Sequence, residues 1–521
     1  MYPRMNDTTV AFLATTATAT SANDQPAAAA LTTPAPVSQE PRALSLAELE
    51  QATGDYGDAE LLKRVFRDQL VFDRTAGAWY RFNGVCWRAD TDGFACRCVS
   101  GTLAAMYRAG VRELEHSRTS EMSTSELKAI QDRIRGLLAK ETALHSTNKV
   151  KAVLEALSNL VGMSLVGEAW DQHGWLLPCA NGVVDLRTGT LCPANPRDYL
   201  KSCAPTKFEG LDTPCPRWLR FLDEVFNHDQ DVIDFMQRFL GYSTSGIVKD
   251  AVMPFLYGPT TRNGKTTIDN TMQYTLGLDF VTELPADALM LQKYKTNAGP
   301  TPYTVMLQGK RLVFFSESAE GSRIDAALIK LLTGNDSITA RGLYEKPRTF
   351  RPTHKLCLLT NHAPDAPADD QGVWERVLLV EFTQRFIDNP HPDRAVEHAK
   401  DNNLDATLQA EASGILAWLV AGCLAWQRDG LRVPETIRLN TSEWREQNDD
   451  VAQWLEACCA IDANQNAGAN MLYKSFCDWY SGKTFVTPNM SQKKFSIELA
   501  RRFNKKRTMY GNFFYGLGLK T

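Results

Sequence analysis

One segment constrains this chain more than any other: Met253-Pro254-Phe255-Leu256-Tyr257, followed by Gly258-Pro259-Thr260-Thr261-Arg262-Asn263-Gly264-Lys265-Thr266-Thr267. A short apolar strand runs into a glycine-bounded loop, and the loop ends in Gly-Lys-Thr at the start of a helical pattern. Loops of this kind turn backbone N–H groups and a helix N-terminus toward phosphate oxygens. Gly258, Thr260, Thr261, Arg262, Asn263, Gly264, Lys265, Thr266 and Thr267 are therefore the expected nucleotide-binding residues. Lys265 would reach the β- and γ-phosphates, and the Thr266 hydroxyl would hold Mg²⁺. Five residues separate the two glycines, where the usual pattern has about four. A chance Gly-Lys-Thr in a surface turn is the competing reading.

Three later segments bear on that choice. Arg311 to Ser316 is an apolar strand that runs into Glu317, about 50 residues after the lysine. An acid at the end of a neighbouring strand can hold Mg²⁺ or polarise water. The usual second adjacent acid is missing, since Ser318 follows, and a solvated glutamate at a strand end remains open. Lys355-Leu-Cys-Leu-Leu-Thr360 is a second buried-type strand and ends at Asn361, whose amide could sense a γ-phosphate; asparagine also commonly starts a turn. Trp374-Glu375-Arg376 precedes the strand Val377–Phe382. Arg376 has the permanent charge and forked geometry suited to a neighbouring subunit's nucleotide, or to a surface ion pair with Glu375 or Asp370. Lys265, Glu317, Asn361 and Arg376 form the expected catalytic set, with Thr266 and Glu317 as metal ligands.

Between these strands, Ile338 to Lys346 reads as a hairpin carrying Arg341, Tyr344 and Lys346. Cations beside an aromatic ring suit a backbone-tracking, base-stacking contact with single-stranded DNA. A solvated hairpin is the plainer alternative.

Net charge is −4, so any nucleic-acid partner must be argued from local charge. The C-terminal tail supplies it: Lys483, Lys493, Lys494, Arg501, Arg502, Lys505, Lys506, Arg507 and Lys520 face one acid, Glu498. Met471–Tyr480 and Ser491–Phe503 read as two helices, the second capped by Ser491 with Phe495, Leu499 and Phe503 on one stripe. Lys493, Lys494, Arg501 and Arg502 are the expected DNA contacts of a helix–turn–helix with a β-wing at Phe513–Gly516. A basic packing domain with solvated lysines remains the alternative.

No apolar run approaches the roughly 20 residues of a spanning helix, so no membrane partner is expected. The twelve cysteines are scattered without a C-x-x-C pair, which reads as reduced thiols in a cytoplasmic protein. Residues 1–42 are rich in Ala, Thr, Pro and Ser and read as a disordered tail. Residues 43–165 read as helical with a small β insert around the Asn83-Gly84 hairpin turn. Asp90-Thr-Asp92 has two-carboxylate spacing but reads as a solvated turn. Residues 166–248 are a lead-in of short strands and an amphipathic helical pair, with Leu219, Leu222, Val225 and Phe226 on the first apolar face. Residues 249–389 hold the motor motifs, 390–462 return to helices, and 463–521 form the basic unit.

Taken together, these blocks resemble superfamily 3 helicases of phages, plasmids and large DNA viruses, in particular poxvirus-type and satellite-phage-type primase–helicases. The resemblance is carried by Gly258 to Thr267, the strand to Glu317, Leu332–Asp336 with Ile338–Arg341, Thr360-Asn361-His362, and Trp374 to Phe382. Asn181–Leu186 is similar to the helical collar that precedes the motor in that family. The resemblance implies an α/β P-loop (AAA+-like) motor core, a helical N-terminal and collar region, and a C-terminal winged-helix-like domain. It further implies a homo-hexameric ring that hydrolyses ATP with Mg²⁺, meets replication proteins, and acts on single-stranded, forked or origin DNA in a phage- or plasmid-bearing bacterial cell. An initiator or loader that does not unwind DNA, and a primase–helicase, are the rival expectations.

Overall fold

Five apolar strands stack side by side, all parallel, in the order Val377–Glu381, Met253–Tyr257, Lys355–Thr360, Leu312–Ser316, Val281–Pro285. The first four are nearly continuous in apolar residues because helices and loops cover both faces of the sheet, whereas the edge strand Val281–Pro285 carries Thr282 and an exposed Glu283. The computed structural model describes residues 43–291, 301–316, 320–484, 488 and 490–520, all within one compact unit that spans Ser38–Thr521. The expected tail, 1–42, lies outside the described residues, and so does Glu317.

The sheet faces two cores. One contains Phe255, Val313, Phe315, Leu358 and Trp444. The other joins Leu256, Phe314 and Cys357 to the helices Pro216–Val225, Gln230–Tyr242, Lys265–Leu276 and Ala412–Asp429. Pro216 opens the first of these helices, where its missing N–H costs nothing. The buried stripe of that helix is Trp218, Phe221, Leu222 and Val225. Leu219, expected on the apolar face, is instead 47% exposed, because the stripe through positions 218, 221, 222 and 225 turns position 219 about 110° away from its centre.

The amino-terminal edge of the sheet is pinned to the preceding region by two buried cations. Arg311 donates to the carbonyls of Thr244 (2.5 Å) and Leu176 (2.7 Å). Lys355 donates to the carbonyls of Ser245, Ile247 and Thr353. Burial pushes Arg311 down to about 10 and Lys355 well below its ordinary range. Both remain satisfied because the loop after Tyr242 turns its carbonyls inward.

Residues 176–192 form an antiparallel meander (Leu176–Cys179, Gly182–Asp185, Thr190–Cys192). The segment likened to a helical collar, Asn181–Leu186, is thus a turn and strand, and the helices follow only at Pro216. After the five-stranded sheet, Arg385–Ile387 pairs in parallel with Glu397–Ala399, so the expected return to helices begins at Leu404 rather than 390. The bent pair Leu404–Ala410 and Ala412–Asp429 is apolar, but it packs in the core. Among the described residues no single helix is long and apolar enough to cross a membrane.

Toward the N-terminus, Ser45 and Glu48 form a reciprocal cap. Helices Gly54–Phe66, Ala104–His116, Thr124–Ala143 and Thr147–Asn159 bury Leu61, Tyr107, Leu137 and Leu157 together. The expected hairpin forms between Ala78–Phe82 and Trp87–Ala89, with Val85 and Cys86 in its turn rather than in the strand. Asn83 Oδ1 accepts from both of their N–H groups, which makes the turn longer than a two-residue Asn-Gly link. Asp90 caps the next helix through Phe94 and Ala95 N–H, and Asp92 pairs with Arg97. Among the described residues no cluster of His, Cys, Asp or Glu could hold a metal ion.

The C-terminal unit has its own core of Trp454, Leu472, Phe476, Phe495, Leu499 and Phe514. Its helices are Asp450–Cys458, Ala469–Thr484 and Gln492–Arg502, the last capped by Ser491 as expected. Asn504–Thr508 and Gly511–Tyr515 form a hairpin against Asn466–Gly468.

Candidate functional site

The loop after Tyr257 closes on itself. Gly258 N–H donates to Thr360 O (3.2 Å), tying the loop to the adjacent strand. Asn263, 3% exposed, turns inward and donates from Nδ2 to Thr260 O (2.6 Å). The longer loop is accommodated where Arg262 adopts φ 63° and Gly264 adopts φ 93°. Glycine is required at two points. A Cβ on Gly258 would sit 2.8 Å from the backbone carbonyl oxygen of Phe382, and one on Gly264 would sit 2.7 Å from Val225 Cγ2. The left-handed backbone at Gly264 adds a second reason there.

Lys265 begins the Lys265–Leu276 helix and is 6% exposed. Its ammonium donates to Gly258 O (3.1 Å) and to Asn361 Oδ1 (2.9 Å). Both acceptors are neutral, and burial pushes the lysine down to about 8. Among the described residues no anion lies beside this buried cation, which leaves it ready for one. Thr260, Thr261, Arg262 and Thr266 are exposed around it, and Thr267 is half-buried. The first N–H groups of the helix add a positive end at the carboxyl edge of a parallel sheet, where ligands of such sheets bind.

The strand leading to Glu317 ends at Ser316. Contrary to expectation it is not the neighbour of Met253–Tyr257, because Lys355–Thr360 lies between them. The asparagine strand is therefore nearest the loop, and the acid strand is two strand spacings away, about 10 Å. Two further acids carry no sequence signal. Glu283, on the edge strand, accepts from Ser316 Oγ. Asp269, one turn into the loop helix and 1% exposed, is pushed up to about 6 by burial, with Glu283 adding to the effect. No spacing rule marks either one; the sheet order brings them together.

Arg376 sits immediately before Val377–Glu381, whose register with Met253–Tyr257 places it at the amino-terminal edge of the sheet. It is thus about 16 Å of strand from the loop edge. Its Nη1 donates to Gly372 O (2.6 Å). Neither expected ion-pair partner takes it: Asp370 binds Lys330 (2.8 Å) and Glu375 accepts from Gln371. Its buried Nε has no hydrogen-bond partner among the described residues.

The hairpin pairs Ile338–Ala340 with Arg348–Phe350. Arg341, Tyr344 and Lys346 lie in the connection, with Tyr344 99% exposed at φ 60°. In the C-terminal unit, Lys493 is exposed, but the other expected contacts have partners within the chain. Lys494 lies 3.5 Å from Asp369, Arg501 2.8 Å from Glu498, and Arg502 2.6 Å from Asp449. Lys505, Lys506 and Arg507 stand exposed on the hairpin strand, and Met509 and Tyr510 at its tip.

Beside the loop lies a cavity of about 660 Å³ that no sequence motif announces. Its walls come from the Pro216–Val225 helix, from Gly264 and Thr267, and from the 386–405 segment.

Comparison with known proteins adds kinship. A family described as D5 N terminal like matches residues 59–227, and a family of unknown function matches residues 256–376. A protein of Acanthamoeba polyphaga mimivirus, named as a helicase, is 24% identical over 429 residues, covering 79% of this chain and 44% of the relative. A Frog virus 3 protein, also named as a helicase, is 22% identical, covering 78% of this chain and 52% of the relative. An African swine fever virus protein named as a primase is 24% identical over 44% of this chain and 24% of its own length. The chain thus spans about half or less of the length of these relatives. Among solved structures, the ligand-free C-terminal region of NrS-1 aligns with 88% of this chain and 99% of its own, at 10% identity and a TM-score of 0.44.

Proposed function

We propose that this chain, a relative of the superfamily 3 primase–helicases of the phage and poxvirus type, is an ATP-driven DNA helicase with a P-loop (AAA+-like) core. One observation carries the reading. A lysine ammonium is buried at the start of a helix, at the carboxyl edge of a parallel sheet, and its only described hydrogen-bond partners are two neutral oxygens. A triphosphate supplies the missing negative charge, and the loop's N–H groups and the exposed threonines surround the place where it would sit.

In this reading Lys265 binds the β- and γ-phosphates, and Asn361, already bonded to that lysine, contacts the γ-phosphate or the attacking water. Thr266 and Glu317 hold Mg²⁺, which neutralises charge on the phosphate oxygens. Arg376 is too far along its strand to serve its own chain's nucleotide, so it acts on a neighbour's in a homo-hexameric ring. Stabilising charge in this way is worth about 10³–10⁵ in rate in phosphoryl transfer. The Arg341–Lys346 loop, with Tyr344 at its tip, contacts the strand being moved, and the winged-helix-like C-terminal unit contacts duplex DNA.

Strand displacement on a forked duplex tests the proposal. The wild-type chain should unwind DNA in an ATP-dependent way, and Lys265→Ala should lose both unwinding and hydrolysis. Wild-type turnover in that variant would remove the phosphate loop from the mechanism. A loader that does not unwind would hydrolyse ATP and leave the fork intact. The relatives named as primases favour a second reading, in which this motor is the helicase part of a primase–helicase. Primer synthesis on a bare single-stranded template tests it.

A further inference from the structure

We propose that the cavity of about 660 Å³ beside the loop is the nucleoside subsite of the same nucleotide, with the base packed against the ring pair Phe386–His398. This rests on the reading of Lys265 as a triphosphate ligand and adds which half of the molecule goes where.

The position of the cavity comes first. Gly264 and Thr267, which flank Lys265 at the start of the helix, form one of its walls. A ligand whose phosphates lie on the helix N-terminus therefore has this space within reach of its remaining atoms. The volume falls in the roughly 300–1,000 Å³ range of small-molecule sites, which a nucleoside fills comfortably.

The aromatic wall is built rather than incidental. Phe386 and His398 come from the two strands of the short parallel pair, with ring centroids 5.4 Å apart and planes 29° from parallel. Phe386 N–H donates to Arg262 O (2.8 Å), which sets the ring's position relative to the loop. His398 Nε2 lies 2.8 Å from Oε1 of Gln384, a residue only 4% exposed, whose amide nitrogen donates to Thr383 Oγ1. Both rings are thus held before any ligand arrives, and aromatic faces accept a nucleobase of any kind.

An ion pair also links two of the cavity's walls. Arg217 bridges Glu224 (3.3 Å) and Asp401 (3.2 Å), joining the Pro216–Val225 helix to the segment after the strand pair. Two further cations of the lining, Arg220 and Lys400, make no ion pair among the described residues. The lining therefore combines an aromatic face with a slight excess of positive charge, Arg217, Arg220, Arg262 and Lys400 against Glu224, Asp401 and Asp405, which suits a base that carries a phosphate chain.

The test compares ATP with inorganic tripolyphosphate, each with Mg²⁺, by calorimetric titration of the full chain. Lys265→Ala should weaken both ligands. Phe386→Ala should weaken ATP about tenfold or more while tripolyphosphate binds as before. Phe386→Leu, which keeps the packing and removes the aromatic face, guards against a folding defect and should behave like Phe386→Ala; Phe386→Tyr should bind ATP like wild type. Unchanged ATP affinity in Phe386→Ala or Phe386→Leu, with Lys265→Ala still defective, overturns the subsite and leaves the triphosphate reading standing. An equal loss of ATP and tripolyphosphate also overturns it, because the ring would then act through Arg262 and the loop. Failure of the wild-type chain to bind either ligand overturns both readings.

Discussion

Lys265 Nζ lies 2.9 Å from Asn361 Oδ1, so the first residue of the loop helix and the residue just past the adjacent strand meet in one hydrogen bond. The residues are 96 apart in sequence and are joined because their elements share the carboxyl edge of the sheet. A change at either side chain is felt by the other. This makes the pair a natural place to begin testing the molecule.

The first expectation concerns pH. Burial holds Lys265 at about 8, below its ordinary 10.5, and a bound triphosphate favours the charged form. Nucleotide affinity should be nearly flat below about pH 7 and fall as pH rises through 8, approaching tenfold per unit. Lys265→Arg, whose charge is permanent, should flatten that slope even if its affinity is lower. Equilibrium titration with a fluorescent nucleotide across roughly pH 6.5 to 9.5 reads both. An affinity that rises across pH 8 would contradict the depressed lysine.

Asn361→Ala removes one of the two acceptors of the ammonium but no phosphate-binding N–H. ATP should bind within about threefold of wild type, while turnover falls by about 10–100-fold through loss of a γ-phosphate or water contact. Single-turnover hydrolysis separates the effects. Equal losses in binding and turnover would make Asn361 an anchor for Lys265 and nothing more.

Arg376 stands at the sheet edge opposite the loop, so its removal should spare ATP binding by its own chain. Arg376→Ala should bind ATP normally and hydrolyse it about 10³-fold more slowly. Mixed with Lys265→Ala under conditions of subunit exchange, it should recover part of the lost activity. Full turnover by Arg376→Ala alone would reduce the residue to its bond with Gly372 O.

Asp269 is pushed up to about 6, above its ordinary value of 3.8. The folded chain binds more protons than the unfolded chain between these values, so the carboxylate's cost is fully present above about pH 6 and is relieved as pH falls toward 3.8. Asp269→Asn keeps an oxygen for the Gln273 amide, which donates to Asp269 Oδ1 at 2.8 Å. The variant should be more stable at pH 8 by about 2–3 kcal/mol, because the buried carboxyl must give up its proton there at an energetic cost that the amide never meets. The gain should vanish near pH 4. Denaturant unfolding at the two pH values decides, and an Asp269→Asn chain less stable at pH 8 would show that the carboxylate has a stabilising partner in the fold and overturn its raised value.

Lys494 is held 3.5 Å from Asp369, with the two side chains 44% and 27% exposed. Such pairs are worth about 0–1 kcal/mol, so DNA phosphates can compete for the lysine. Asp369→Ala should tighten duplex binding by about two- to fivefold. Lys493→Ala and Lys506→Ala should each lower the salt dependence of binding by about one unit of slope. Binding isotherms at several salt concentrations measure both, and an unchanged slope would remove those lysines from the interface.

Much of the site was legible because local chemistry specifies it. The Gly258–Lys265 loop, the strands before Ser316 and Asn361, and the Ser491 cap are encoded by residues adjacent in the chain, and each forms where its pattern places it. Leu219 falls outside the expected face because a helical stripe has a width, and only Trp218's burial shows which side of it turns inward. Asp269, Glu283, Phe386 and His398 lie on separate elements and carry no spacing signal.

By itself the sequence determined the chemical inventory and the order of elements: a glycine-bounded loop ending in Gly-Lys-Thr, apolar strands with polar ends, a hairpin with cations and a tyrosine, and a basic tail. Only the tertiary structure decided their neighbours. It inserted the Asn361 strand between the loop and the acid strand, sent Arg376 to the far edge, and opened a cavity beside Gly264. The physical reason is range. Caps, turns and apolar periodicity act over a few residues, whereas strand order is set by which faces bury together, and that choice is made across the whole chain.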